Sequence, residues 1–296
     1  MSRLIRFTLV VIISAFIMTI LNSCMKDTTS SDIKIVFLHH STGEILWNGA
    51  RPSLFKRALG KINKRLADFV CKKAELPAMI KVHNNENSKF YRIEEIEFPK
   101  SVPYGWNNYP FDYYNIWVAN GGDNPYKDEP TLEMLTKEYQ VIIFKHCFPV
   151  SNIQPDLDSA DISSPYKSLA NYKLQYSALR DKMHSFPDTK FIVFTGAVQV
   201  KSNISIEEAE RAKDFFSWVI NEWDLPDDNI FIWDFYNNST EGGLYLKDEY
   251  AASQIDSHPN KAYSSKAVRL LFNRIIDVIE NDGKSTTLKG EPQARN

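Results

Sequence analysis

The sequence predicts an α/β protein built on a doubly wound, mostly parallel sheet of about five strands. Two observations carry that expectation. Short apolar, β-branched or aromatic runs recur along the chain, with helical patterns between them. At least three of these runs are continuously apolar rather than alternating, which suits strands covered on both faces.

The expected strands are Lys34–His39, Met79–His83, Val141–His146, Phe191–Thr195 and Ile230–Asp234. A first helix is expected over Ser53–Cys71. Ser168–Ser185 places Leu169, Tyr172, Tyr176, Leu179 and Met183 on one stripe, with Leu174 off it. Ile204–Glu222 begins with Ser205 followed by Glu207 and Glu208, acids that suit a helix amino terminus. Lys261–Glu280 repeats apolar residues at helical spacing from Ala267 to Ile279. Residues 84–132 read as a long aromatic insertion that walls a site.

The ends differ from this body. Arg3 and Arg6 precede an apolar run, Phe7 to Leu21, shorter than the roughly 20 residues of a comfortable membrane span. Leu21-Asn22-Ser23-Cys24 resembles the lipobox of bacterial lipoproteins. The resemblance implies a signal peptide over residues 1–23, a lipidated Cys24, and a membrane-anchored protein of the cell envelope. Residues 24–31 are polar and read as a tether to a domain over residues 32–281. Residues 282–296 carry almost no apolar side chains and are expected to be disordered.

A net charge of −2 leaves no overall basic surface, so nucleic acid is not an expected partner. Lys56, Arg57, Lys61, Lys64, Arg65, Lys72 and Lys73 form a local basic stretch, read as a solvated helix face or a contact for anionic lipid or acidic glycans. Cys71 and Cys147 have no CxxC partner, and a free buried Cys147 is expected.

The chemistry concentrates at strand ends. Ser41 closes the first apolar run and is followed by Thr42-Gly43, where glycine allows a tight turn. Asp256-Ser257-His258-Pro259-Asn260 precedes the last helix. A serine hydroxyl needs an imidazole base, an acid that sets the imidazole tautomer, and donors for the oxyanion. Ser41, His258 and Asp256 supply the first three parts. A zinc site at His39, His40, His146, Asp256 and His258 is the competing reading. No helical metal motif occurs, and adjacent strand residues point to opposite faces, so neither a metal nor another cofactor is expected.

Those residues resemble the SGNH (GDSL-like) hydrolase superfamily. The resemblance implies a flavodoxin-like three-layer α/β/α fold, with Ser41 as nucleophile, His258 as base and Asp256 as orienting acid. It implies Gly121, in Ala119-Asn120-Gly121-Gly122, as an oxyanion donor. The match is divergent: the nucleophile block reads His39-His40-Ser41-Thr42-Gly43, and Asp256 lies two residues before His258. The asparagine donor expected after the third strand is replaced by Phe144-Lys145-His146-Cys147. Lys145, His146 and Asn152 are the candidate replacements. The implied activity is that of a lipid-anchored serine esterase on a small-molecule or glycan ester, such as an acetyl ester. A polysaccharide O-acetyltransferase using the same trio and a catalytically inactive glycan-binding lipoprotein are the alternatives. The aromatic residues of 104–117 read as lid packing or as stacking surface for sugar rings.

Overall fold

The computed structural model describes residues 32–49 and 74–293. The expected signal peptide, Cys24, tether, Ser53–Cys71 helix, basic stretch and Cys71 lie outside these residues. Elements are β1 (Ile33–His39), α1 (Ser41–Asn48), α2 (Glu75–Asn87), β2 (Tyr91–Glu97), α3 (Pro110–Tyr113), α4 (Leu132–Glu138), β3 (Val141–Phe144), α5 (Leu169–His184), β4 (Lys190–Phe194), α6 (Ile206–Trp218), β5 (Ile230–Trp233), α7 (Phe235–Thr240), β6 (Ala251–Ser253), β7 (Asp256–Pro259) and α8 (Lys261–Asn281).

The main sheet is parallel throughout, in the order β2-β1-β3-β4-β5. This is the flavodoxin-like order, and it puts the carboxyl ends of β1 and β3 side by side. Alternation along each strand feeds two cores. Val36, Leu38, Ile142, Phe144 and Val193 face one layer with Tyr113, Trp117, Tyr176 and Phe215. Ile35, Phe37, Ile143, Ile192 and Phe194 face the other with Leu46, Val268, Leu271 and Ile275. Both faces are apolar, which explains the continuous runs in the sequence.

Two helix starts follow from their sequences. Ser205 and Glu208 form a reciprocal capping box at α6, each accepting from the other's backbone N–H at 3.2 Å. Asn260 caps α8 by accepting from Tyr263 N at 2.9 Å. Leu174, expected off the buried stripe of α5, is 40% exposed.

Three expectations are corrected. Met79–His83 is not a strand but part of α2. Its buried residues, Leu76 and Ile80, are one helical turn apart, while Val82 is 53% exposed. The missing strand is β2, inside the segment read as an insertion. It is an edge strand of the sheet formed by the described residues, half-polar, and its sequence lacks the apolar run of β1 and β3. The tail is not disordered over residues 282–293. Buried Asp277 accepts from Thr286 N at 2.8 Å and from Ser285 N at 2.9 Å, and Trp233 Nε1 donates to Lys289 O at 3.2 Å. Ordering here rests on polar contacts to a preformed surface, which hydropathy does not register.

Candidate active site

Ser41 leaves the sheet at the carboxyl end of β1 and is the first residue of α1, where it is exposed. The first-turn amides of a helix have no intrahelical acceptor, so the start of α1 offers N–H donors beside the hydroxyl. Gly43 is required by packing rather than by an unusual dihedral angle. A Cβ at that position would lie 2.3 Å from His39 Cβ and 2.4 Å from its Cγ. The first turn of α1 therefore closes directly over β1.

Asp256 and His258 lie on β7, in an antiparallel hairpin with β6. His258 Nδ1 is 2.7 Å from Asp256 Oδ1, and its backbone N–H donates to the same oxygen at 3.0 Å. The two-residue spacing works because alternate strand residues share a face. That backbone N–H, helped by the ring contact and opposed by partial burial, holds the Asp256 carboxyl below the usual carboxylate range. Ser257, on the opposite face, is buried and anchors the strand: its Oγ accepts from Val200 N at 3.0 Å and Asn203 Nδ2 at 3.1 Å.

Two contacts bring this pair toward Ser41. Helix α1 packs against β7. The His258 ring meets Phe148 edge-on, 5.1 Å between centroids, in the turn that follows β3. Cys147, one residue earlier, lines a cavity of about 530 Å³ with Ser41, His39, His40, Glu44, Glu95 and Glu97. Ser41 and the Asp256–His258 pair thus lie toward the carboxyl edge of the sheet, where ligands bind in open α/β folds.

His40 borders this cavity. Its Nε2 donates to Pro99 O at 2.5 Å, and its Nδ1 is 3.5 Å from Glu97 Oε1. Burial, the largest influence, pulls its pKa down, favouring the neutral ring. His39, the last residue of β1, is buried and lines the same cavity. No group of His, Cys, Asp and Glu among the described residues has metal-binding geometry.

The expected oxyanion donors separate on inspection. Lys145 is buried beneath the site, its Nζ 3.7 Å from Cys147 Sγ, and burial lowers its pKa. Asn152 stays at this edge, half-buried, its Oδ1 accepting from Gln199 Nε2 at 3.3 Å. His146 is a correction: it points to the aromatic face. Tyr113 and Tyr176 enclose it at centroid distances of 4.6 and 5.6 Å, and neither ring nitrogen has a partner among the described residues. Burial pushes its pKa down to about 3, so it is neutral. Gly121 is a second correction. A Cβ there would meet Lys182 Nζ and Glu133 Oε1, and Lys182 lies in the last turn of α5, which feeds the amino end of β4. After the π-helical turn Tyr114–Ala119 the chain has left the carboxyl edge.

The aromatic segment is mostly core. Trp106, Tyr109, Tyr113 and Trp117 are buried, and Tyr104 is the large ring that stays well exposed, so a broad sugar-stacking surface is not formed there. Asn108, buried, braces the chain beside the cavity: its Nδ2 donates to Phe98 O and its backbone carbonyl accepts from Cys147 N, both at 2.9 Å. Sequence reasoning missed Glu95 and Glu97. Alternation in Tyr91–Glu97 was the available signal, obscured by the edge strand's polarity.

No family model matches this chain, and no curated protein matches it. A solved carbohydrate esterase, described by the divergent catalytic and non-catalytic binding functions of its active site, is similar at 12% identity with a TM-score of 0.39. The match covers 83% of this chain and 65% of that protein, so this chain spans less than two thirds of its length.

Proposed function

We propose that the chain is a serine ester hydrolase of SGNH type, with Ser41 as nucleophile, His258 as general base and Asp256 as its orienting acid. The observation that carries this reading is the 2.7 Å contact between His258 Nδ1 and Asp256 Oδ1, on a strand packed against the helix that begins at Ser41. A carboxylate on Nδ1–H leaves Nε2 as the basic nitrogen.

In the first half-reaction Ser41 Oγ attacks the acyl carbon while His258 Nε2 takes the hydroxyl proton. The resulting oxyanion is met by the amides at the start of α1, and the buried Lys145 amine adds positive potential from below when protonated. Collapse breaks the bond to the alcohol, and His258 returns the proton to the departing oxygen. Water then repeats the sequence on the acyl-enzyme, releasing the acid and restoring Ser41. An acetyl ester of a carbohydrate is the first substrate class to try. A phosphonylating probe tests the mechanism: a fluorophosphonate should label Ser41, and lose labelling in His258→Ala. An unlabelled, folded protein would favour the glycan-binding alternative.

The reading extends to the amino terminus, where Cys24 is the proposed lipidation site and the cell envelope the proposed location. Labelled palmitate should appear on Cys24 and be lost in Cys24→Ala. Processing without lipid would sink that part alone.

A further inference from the structure

The Asp256–His258 pair sits outside the main sheet. Hairpin β6–β7 is a two-stranded sheet of its own, with strands of three and four residues and a register shift between Ala251 and Ser253. A ribbon of this size has little stability by itself. Contacts from elsewhere must therefore fix where the imidazole stands, and a misplacement of about 1 Å at a reacting group costs up to about a hundredfold in rate.

The loop after β4 supplies those contacts. Ser257 lies between acid and base, and alternation turns it to the opposite face, where it is buried. Two donors converge on its Oγ, Val200 N at 3.0 Å and Asn203 Nδ2 at 3.1 Å. Asn203 Nδ2 also reaches Ile255 O at 3.2 Å, and Ser202 Oγ donates to Gln254 O at 2.5 Å, so the tip of the hairpin is tied to the same loop. Gln199 reaches the other way: its Nε2 donates to Asn152 Oδ1 at 3.3 Å and to Phe148 O at 3.4 Å. Phe148 is the residue whose ring meets His258. The loop thus holds the base twice, through the strand behind it and through the ring beside it.

We infer that Ser257 is a positioning residue for the reaction: held by residues 199–203, it sets the placement of His258 relative to Ser41. This inference rests on His258 being the base for Ser41. Asp256 and His258 contact each other directly at 2.7 Å, so loss of the anchor leaves the pair intact and displaces it as a unit. The role is therefore distinct from that of Asp256, which acts on the imidazole itself.

The test follows p-nitrophenyl acetate hydrolysis and the rate of Ser41 labelling by a fluorophosphonate, each well below the variant's Tm. Ser257→Ala should lower kcat about tenfold and slow labelling alike, with KM held, because His258 serves both half-reactions. Ser257→Thr keeps the hydroxyl and should restore kcat. Asn203 is exposed and lies outside the hairpin, so Asn203→Ala decides the matter where Ser257→Ala does not fold. It should cost about threefold in kcat, since Val200 N still reaches Ser257. Full kcat in these variants, even with a lowered Tm, or a loss confined to KM, overturns the positioning role and leaves the hydrolase standing. A wild-type protein that is neither labelled nor active overturns both.

Discussion

The two ends of the sheet each hold a histidine bonded to an aspartate. At the carboxyl edge His258 Nδ1 meets Asp256 at 2.7 Å; at the amino edge His184 Nε2 meets Asp228 at 2.8 Å. Both imidazoles are 32% exposed. The amino edge even has the larger cavity, about 660 Å³. Pairing, exposure and cavity size therefore do not distinguish the pair proposed as catalytic from its counterpart at the amino edge. What differs is the surrounding chain. His184 closes the last turn of α5. It uses Nε2 for the aspartate, and no serine lines its cavity. His258 uses Nδ1, next to a helix that starts with a serine.

The largest effect that would break this contrast is on turnover. Ser41→Ala should lower p-nitrophenyl acetate hydrolysis by about 10³-fold or more without moving the Tm, whereas His184→Ala should leave kcat/KM unchanged. Equal losses in both would erase the distinction. Asp256→Asn should cost less, about tenfold to a hundredfold in kcat, because this carboxylate is 49% exposed and water replaces part of its effect. Asp228→Asn, its counterpart, should leave kcat alone.

The amino edge should reveal itself through pH instead. Burial, reinforced by Asp228, pushes Asp224 up to about 7. Below pH ~4 the carboxyl is protonated whether folded or not. Between there and about 7 the unfolded chain loses its proton first, so stability falls as pH rises, and the penalty is complete above 7. Asp224→Asn should therefore raise the Tm by several degrees at pH 8 and by little at pH 4. A uniform shift across pH would remove Asp224 as the titrating group. The smallest effect concerns a histidine of neither edge. His146→Phe replaces two unpartnered ring nitrogens in an aromatic shell, and should leave turnover intact while stabilising by about 1 kcal/mol in chemical denaturation. A loss of activity would return His146 to the site.

Legibility in the sequence followed the kind of signal each residue carries. The inner strands β1, β3 and β4, and the far edge strand β5, are apolar on both faces and stand out. The edge strand β2 does not, because Arg92, Glu94, Glu95 and Glu97 interrupt it, and Met79–His83 imitated it. Leu76 and Ile80 were the corrective clue, four residues apart. The positions of Ser41 at a strand end and of Asp256 and His258 before the last helix were legible because a strand end and a short motif are local features. Lys145 and His146 were not separable, since neighbouring strand residues differ only in the face they meet. Gly121 was misplaced because its role depended on the path of a long segment, which no local pattern records.

By itself, then, the sequence determined the α/β class, the inner strands and the residues able to supply a nucleophile, a base and an acid. These follow from periodicity and chain order, and each is set within a few neighbouring residues. Only the tertiary structure decided which edge each residue reaches. It turned His146 into the core, sent Gly121 to the far edge, tied residues 282–293 to Asp277 and brought Glu95 and Glu97 to the wall beside Ser41. Those outcomes depend on strand register and on segments distant in the chain, where one residue of shift exchanges core for cavity.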